Sequence, residues 1–383
     1  MRSVALDLAA RKIAYCEVAD GKVVGRRTVS SLGRLEDRLG PDSPPARVAI
    51  EACREAWHVH AKLEAWGNQV LLVDTTRVRR LGVGQHGRKT DRIDAETLAL
   101  AVERQQIPTA HVLSPQRQQL RMKLSVRRAL VSTRAEYVTT VRGLVRAAGG
   151  KIPSCSVEHF VAHARRAVVD DQTRELLAPL LIIIEQLDAQ LAQLELQLEQ
   201  QYAAEPVISL LMTAPNIGVV TAAAFVSVVD DAHRFGSSRK VGAYVGLVPS
   251  EKSTGDRRRL GSITKKGNGY LRSLLVEVSW SILRRSSDDP LHRWANAVAK
   301  RRGSRIAVVA LARRLAGVLW AMWRDDRVYD PAWVGQRIAR GLQRQAEDTK
   351  LRADAMKRAA EKVRRRARRY QHHLPNTTEV TRS

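Results

Sequence analysis

The sequence has few aromatic residues, few cysteines and far fewer acidic than basic residues. Only 4% of its 383 residues are Phe, Trp or Tyr, which argues against a protein that binds single strands mainly by stacking bases on aromatic rings. The three cysteines, Cys16, Cys53 and Cys155, are widely spaced and match neither a disulfide framework nor a metal motif. No apolar run reaches the roughly 18–20 residues of a membrane span. These absences favour a cytoplasmic protein without a membrane partner.

The charge balance is strongly basic. There are 65 Lys and Arg residues against 39 Asp and Glu residues, a formal net charge of +26. Such a charge predicts strong binding to a polyanion with release of its counterions, and nucleic acid is the first candidate. The length exceeds one typical domain of about 100–200 residues, so we expect two or three domains.

The first part of the chain, residues 1–112, has the pattern of an α/β domain. Alternating segments at 3–8, 12–18 and 22–29 predict a three-stranded meander, and apolar segments at 47–51 and 69–74 predict two more strands. An amphipathic helix is predicted between them, at 57–66. Three antiparallel strands followed by this alternation of strands and helices are typical of an RNase H-like nuclease domain.

Four acidic residues are predicted to come together in this domain. Asp7 and Glu51 lie at or near the ends of strand segments, and Asp91 and Asp94 are one helical turn apart at the predicted start of a helix. A cluster of carboxylates binds hard divalent cations, and a pair of such cations can hold both reacting oxygens of a phosphodiester. The alternative is that Asp91 caps the helix and pairs with Arg92 while the other acids lie on solvated edges.

A helical connector is predicted at 113–204. Its second half has apolar residues at alternating spacings of three and four, Leu180, Ile184, Leu187, Leu191, Leu194 and Leu198. This heptad pattern predicts a coiled coil that pairs chains. The alternative is one long helix that packs on its own domain.

A second globular region is predicted at 205–330. The segment 214–219, with Asn216 and Gly218, resembles a helix-hairpin-helix turn whose backbone N–H groups hold a phosphate. Further on, Ser253 and Thr254 lie in a glycine-flanked loop, and seven Lys or Arg residues occur from 252 to 272. These residues suit either a serine that attacks a phosphodiester or a loop that only grips phosphate.

The last segment, 331–383, is predicted to be a basic tail. Residues 350–370 contain ten Lys or Arg and two acidic residues, a net charge of +8. This composition predicts a basic helix with a disordered end, which contacts a polyanion without sequence preference.

Taken in order, the motifs resemble those of a known family. Asp7, Glu51 and the segment 89–95 are followed by Pro-Asn-Ile-Gly, Gly-Leu-Val-Pro, Ser-Thr-Gly and Lys-Lys-Gly-Asn. This combination resembles the DEDD transposases of the insertion-sequence "one-ten" family, the bridge-RNA-guided recombinases, over roughly residues 2–112 and 205–325. The resemblance implies an α/β RuvC-like (RNase H-like) N-terminal domain, a helical coiled-coil connector and a mostly α-helical C-terminal transposase domain.

The resemblance also implies site residues, a cofactor and partners. Asp7, Glu51, Asp91 and Asp94 would bind Mg²⁺, two ions per site with Mn²⁺ as a substitute, and Ser253 would be the nucleophile. The partners would be donor and target DNA, a non-coding bridge RNA and further copies of the chain, from dimer to tetramer, in the nucleoid. The residues expected to contact nucleic acid are Lys89, Arg92, Asn216, Gly218, Lys252, Arg257, Arg258, Arg259, Lys265, Lys266, Asn268 and Arg272.

The predicted function is a DNA recombinase that forms a phosphoserine intermediate. Two alternatives stay open on the residues alone. One is a metal-dependent junction nuclease that uses water, and the other is a nucleic-acid-binding protein with a degenerate nuclease fold.

Overall fold

The chain divides into two compact units in a computed structural model, Met1–Ser114 (unit 1) and Pro115–Ser383 (unit 2). The structure describes residues 1–9, 11–74, 91–251 and 259–371, and it describes the backbone but not the side chains of 91–93, 352, 359 and 362–371. The predicted short helix at 75–81, the glycine loop at 82–88 and the chain end at 372–383 lie outside the described residues.

Unit 1 is built on a five-stranded mixed sheet. Its strands are β1 (Arg2–Ala9), β2 (Lys12–Ala19), β3 (Lys22–Val29), β4 (Ala46–Glu51) and β5 (Gln69–Val73). They are arranged in the order β3-β2-β1-β4-β5, in which β1, β2 and β3 pair antiparallel and β4 and β5 run parallel to β1. This arrangement is compatible with the RNase H-like domain that the sequence predicts.

One face of the sheet packs against the helices that precede β5. A short 3-10 helix (Leu32–Leu35) leads into α1 (Glu36–Leu39), and α2 (Ala56–Ala65) lies between β4 and β5. Large side chains, among them Leu6 of β1, Ile50 of β4 and Leu63 of α2, are completely buried on this face. Because side chains alternate along a strand, the residues next to Leu6 and Ile50 point to the opposite face.

The opposite face of the sheet is covered by α3 (Asp91–Glu103). Four alanines are buried here, Ala5 and Ala49 on the strands and Ala95 and Ala99 on the helix, together with larger side chains such as Leu98. Small residues on both sides let the helix lie close to the sheet. The residues that follow this alanine row along the strands therefore lie beneath the first turns of α3.

Unit 2 is mostly helical. Its helices are α4 (Pro115–Ala147), α5 (Phe160–Arg165), α6 (Asp171–Tyr202), α7 (Pro206–Met212), α8 (Val219–Val229), α9 (Ser238–Tyr244), α10 (Gly269–Arg284), α11 (Pro290–Arg302), α12 (Ser304–Arg324) and α13 (Pro331–Gln371). Two short strands, β6 (Pro249–Glu251) and β7 (Leu260–Ile263), form an antiparallel hairpin between α9 and α10.

The heptad leucines of α6 pack against α4 of the same chain. Leu191 and Leu198 are buried in this contact, whereas Leu187 and Leu194 are only partly buried. Two ion pairs join the antiparallel helices, Arg127–Glu195 at 2.5 Å and Arg134–Asp188 at 2.7 Å, and Arg117 pairs with Glu205 just beyond α6 at 2.6 Å. Within one chain, α4 thus covers part of this seam. A coiled coil between chains is not confirmed, and the oligomeric state stays a prediction.

The intrachain seam gives a stability prediction. Leu191→Asp should lower the free energy of unfolding by about 3–5 kcal/mol, because it removes a buried leucine and places an unpaired charge between α4 and α6. The control is Leu196→Asp on the same helix, because Leu196 is 54% exposed and Leu191 only 3%. Urea unfolding followed by circular dichroism measures both variants. Equal destabilisation by the two changes would contradict an intrachain seam at Leu191.

The centre of unit 2 is α12. Its side chains Leu311, Leu315 and Trp320 are buried among residues of α8, α9 and α10, and Val334 and Ile338 of α13 belong to the same core. By length and composition alone, α12 is the one helix of the described residues that could cross a membrane, and 67% of its apolar stretch is buried inside the unit. Such burial is typical of a core helix in a globular domain.

Candidate active site and nucleic-acid surfaces

Two of the predicted metal ligands lie on neighbouring parallel strands of unit 1. In the register of β1 and β4, Leu6 is opposite Ile50, and Asp7 and Glu51 are the next residues of each strand. Both follow the alanines on the face covered by α3, because side chains two apart on a strand share a face. Parallel strands end at the same edge of a sheet, so Asp7 and Glu51 lie side by side at this edge.

The direction of α3 brings the third acid to the same edge. The backbone N–H of Gly21, in the turn between β2 and β3, donates to Oε2 of Glu103 at 3.1 Å. Since β2 runs antiparallel to β1, this turn lies at the start of β1, and the last turn of α3 lies there too. The first turn of α3, with Asp91 and Asp94, therefore lies at the far end of β1, where Asp7 is found.

The environment of Asp94 suits a metal ligand. Its side chain is 6% exposed, and its Oδ1 is buried without a hydrogen-bond donor among the described residues. A buried carboxylate oxygen without a donor is costly, and a cation would offset that cost. Among the described side chains, which exclude that of Asp91, no three acidic, His or Cys groups are placed to hold a metal ion together. Asp7, Glu51 and Asp94 are therefore not gathered into such a group. Their carboxylates are the donor type that a divalent cation prefers, and the four-acid metal site stays a prediction.

In unit 2, two glycines bring two sequence motifs together behind the β6–β7 hairpin. Gly246 and Gly267 have φ angles of +76° and +102°, and a Cβ on either would lie 1.9 Å from a carbonyl oxygen, that of Lys266 or of Tyr244. Only glycine allows both this conformation and this approach. The Gly-Leu-Val-Pro and Lys-Lys-Gly-Asn segments are thereby held against each other, and the N–H of Lys265 donates to the carbonyl of Gly246 at 3.1 Å.

The predicted nucleophile belongs to the connection of this hairpin. Ser253 follows β6 by two residues, but residues 252–258, which include Lys252, Thr254, Arg257 and Arg258, lie outside the described residues, as do Lys89 and the side chains of Asp91 and Arg92. The hairpin itself is tied by Ser250, whose Oγ donates to the carbonyl of Ser262 at 2.9 Å. The paired strands thus fix the positions of the two residues between which the connection runs, Glu251 and Leu260.

The other residues predicted near the hairpin differ in their contacts. Arg259, Lys265 and Lys266 are exposed. Asn268 caps α10, since its Oδ1 accepts from the N–H of Leu271 at 2.9 Å, and Arg272 donates to the carbonyl of Val245 at 2.9 Å. Asn268 and Arg272 thus have local structural contacts, while a role in gripping nucleic acid stays a prediction.

The turn predicted to hold a phosphate joins two helices, α7 and α8. Asn216 has a left-handed backbone, with φ of +60°, and its Oδ1 accepts from Arg285 at 3.2 Å. Gly218 is the N-cap of α8 and has no atom within 4 Å of a Cβ built on it. A helix start that is open at its N-cap and lies near a cation suits an anion.

Eight arginines that no sequence motif singled out line an open cleft of about 1520 Å³ in unit 2. Three are on α13, at the spacing of one helical face: Arg337, Arg340 and Arg344. Arg305, Arg313 and Arg314 are on α12, and Arg239 and Arg302 add to them from α9 and α11. Gly261 and Ser262 of β7 also line the cleft. The signal in the sequence is the Arg313-Arg314 pair, which interrupts an otherwise largely apolar helix of the unit.

The arginines of the cleft lie close to one another. Burial and the charges of Arg313 and Arg337 lower the pKa of Arg314 to about 10, so it stays charged at neutral pH. Burial and Arg239 lower the pKa of Arg313. The guanidinium of Arg314 lies 4.0 Å from the ring centre of Trp294, and its Nε is buried without a hydrogen-bond partner among the described residues. Asp348 is the one acidic residue lining the described part of the cleft.

Comparison with known proteins decides the family. Two family models match the chain, one for the DEDD transposases of the IS110 type over residues 4–148 and one described as "Transposase IS116/IS110/IS902 family" over residues 208–295. A "probable family 20 transposase" of Pseudomonas aeruginosa is 31% identical over 75% of this chain and 87% of its own length. The chain belongs to the IS110 family of transposases. The predicted "one-ten" family is thereby confirmed.

Two further relatives cover most of their own length. The transposase for insertion sequence element IS1328 of Yersinia enterocolitica is 29% identical over 82% of this chain and 94% of its own length. The transposase for IS1111A of Coxiella burnetii is 27% identical over 74% and 79% of the two chains. The IS110-family chain is thus a transposase, an enzyme that cuts and rejoins DNA, and a family named for its DEDD acids implies the use of a divalent metal.

Proposed function

We propose that this IS110-family transposase cuts and rejoins DNA through a covalent bond between Ser253 and the scissile phosphate. In this proposal Asp7, Glu51, Asp91 and Asp94 hold Mg²⁺, and a non-coding bridge RNA selects donor and target DNA. The observation that carries the proposal is the placement of the acids. Two parallel strand ends and the start of one helix lie at the same edge of the sheet, where one oxygen of Asp94 has no hydrogen-bond donor among the described residues.

The four carboxylates would act by holding two ions at one place on the DNA. Oxygen ligands of full negative charge are the donors that Mg²⁺ prefers, and Mn²⁺ accepts the same set. Bound there, the ions would stabilise negative charge on the phosphate and on the leaving oxygen. The acids themselves need a fixed spacing for this role. The sheet register sets Asp7 and Glu51, and the close packing of α3 on the alanine row sets Asp94.

The serine step would exchange one phosphoester bond for another, so DNA could be rejoined without an external energy source. The Oγ of Ser253 would form a bond to phosphorus, its proton would pass to water, and the bond from phosphorus to one deoxyribose oxygen would break. The freed hydroxyl of a partner strand would then attack the phosphoserine, restoring a phosphodiester and the serine. Exposed Arg259, Lys265 and Lys266 beside the hairpin supply positive charge for the crowded phosphorus.

The partners follow from charge and from the family. A net charge of +26 suits long contacts with nucleic acid backbones, so both DNA molecules and the bridge RNA can be held at once. In this family the acids and the serine can belong to different subunits, which would require an oligomer. Localisation in the nucleoid follows from such substrates.

A reconstituted reaction tests the proposed function. The purified chain is combined with donor DNA, target DNA, Mg²⁺ and RNA transcribed from the DNA that flanks its gene. We expect recombinant DNA that depends on both the RNA and Mg²⁺, together with a protein–DNA link that resists denaturation. Cleavage without any such link would favour the water-using junction nuclease. Binding without cleavage would favour the nucleic-acid-binding protein with a degenerate nuclease fold.

A further inference from the structure

The arginine cleft of unit 2 has a size and charge that call for a polyanion. Its volume of about 1520 Å³ exceeds the roughly 300–1,000 Å³ of small-molecule pockets. None of its eight arginines forms an ion pair with another residue that the structure describes. Like charges held together with few counter-charges repel one another, and a bound anion would reduce that repulsion.

Two arginines of the cleft are held in place by tryptophan rings before any ligand binds. Arg314 is stacked on Trp294 and Arg337 on Trp333, with distances to the ring centres of 4.0 and 4.8 Å. Contact with an indole ring restricts the movement of a guanidinium, and a guanidinium can still donate from its terminal N–H groups to a phosphate. Such planar, two-pronged contacts distinguish arginine from lysine at phosphate sites. No lysine lines the described part of this cleft.

The arginines of the cleft also form rows along two helices. On α13, Arg337, Arg340 and Arg344 follow one face of the helix, so they extend over about 10 Å along its axis at 1.5 Å per residue. Arg305 and Arg313 extend in the same way along α12. A row of cations of this length matches several successive phosphates of a strand better than a single anion.

The strand β7 links the row of arginines to the β6–β7 hairpin. Gly261 and Ser262 of β7, and Pro249 of β6, line the same cleft. We propose that the arginine cleft binds the DNA backbone beside the scissile phosphate, and so presents that strand to the β6–β7 connection. This inference rests on the proposed function in one respect, since it takes the hairpin to carry the nucleophile.

A charge-matched pair of variants tests the cleft. Arg305→Gln, Arg340→Gln and Arg344→Gln together remove three exposed charges from the lining. Arg166→Gln, Arg293→Gln and Arg301→Gln together remove three exposed charges outside it. Fluorescence anisotropy measures the affinity of the full chain for duplex DNA across salt concentrations in EDTA. No strand chemistry occurs in EDTA, so the result does not depend on whether Ser253 is the nucleophile.

The cleft variant should bind duplex DNA at least about tenfold more weakly at about 100 mM salt. The slope of the logarithm of its binding constant against the logarithm of the salt concentration should become shallower by about 2.7, which is about 0.9 for each of three lost phosphate contacts. The control variant should lose less than about one unit of slope. Equal losses for the two variants, or no loss for the cleft variant, would overturn the proposal. An RNA hairpin is the second probe, and an RNA loss as large as the DNA loss would overturn the assignment to DNA.

A second measurement uses the unaltered chain. Phenylglyoxal modifies accessible arginines, and mass spectrometry identifies the modified positions. Duplex DNA should protect Arg305, Arg340 and Arg344 from modification and leave Arg293 and Arg301 reactive. Equal reactivity of the cleft arginines with and without DNA would reject the proposal even if a variant failed to fold.

Discussion

Ser253→Ala protein should give no covalent protein–DNA link and no recombinant DNA, while RNA binding and folding persist. The reason is chemical: only a side-chain hydroxyl leaves protein attached to the cut strand, and alanine has none. Thr254→Ala is the matched control, because it removes the neighbouring hydroxyl from the same connection between β6 and β7. That variant should keep the link, with at most a moderate loss of rate.

The measurement is a denaturing gel of end-labelled DNA incubated with each variant in Mg²⁺. If the link survives in Ser253→Ala and disappears in Thr254→Ala, the nucleophile is Thr254. If the unaltered chain cuts DNA without a link, water is the nucleophile and Ser253 at most holds the phosphate. Circular dichroism of each variant separates a chemical loss from a folding loss.

Asp94→Asn should lower the rate of strand cleavage by at least about a thousandfold, which corresponds to about 4 kcal/mol of lost stabilisation. Asparagine has nearly the same shape, but it removes the charge that the buried Oδ1 would give to a cation. The matched control is Glu96→Gln on the same helix, because Glu96 is partly exposed and pairs with Arg26. That change removes one acid of α3 and should leave cleavage nearly unchanged. Asp7→Asn should behave like Asp94→Asn.

A binding measurement without DNA separates a metal role from a structural one. An ion that binds the folded state alone raises the unfolding temperature. Mg²⁺ or Mn²⁺ should therefore stabilise the unaltered chain and Glu96→Gln, but not Asp94→Asn or Asp7→Asn. The same metal-dependent shift in all four proteins would place the ion elsewhere. Normal cleavage by Asp94→Asn in Mg²⁺ would remove Asp94 from the site.

The seam on α6 marks a limit of sequence patterns. Alternating spacings of three and four predict that Leu191 and Leu198 are buried by another helix, and they are buried. The spacing does not say whether that helix belongs to the same chain, because the same apolar stripe satisfies either partner. Ion pairs between α6 and α4, such as Arg134–Asp188, show that α4 of the same chain covers part of the stripe, and pairing between chains stays a prediction. They join residues that no local pattern relates.

The sequence by itself determined the strands of unit 1 and the sheet edge at which Asp7 and Glu51 lie. Alternation assigns each side chain to a face, and parallel strands must end together, so Asp7 and Glu51 could be placed beside each other before any coordinates. The arginine cleft could not be found this way. Its members extend from Arg239 to Arg344 on four helices, and in sequence each is an ordinary basic residue of a basic chain. Only the packing of α9, α11 and α13 around α12 brings their charges to one surface, because contacts between distant segments depend on the whole core.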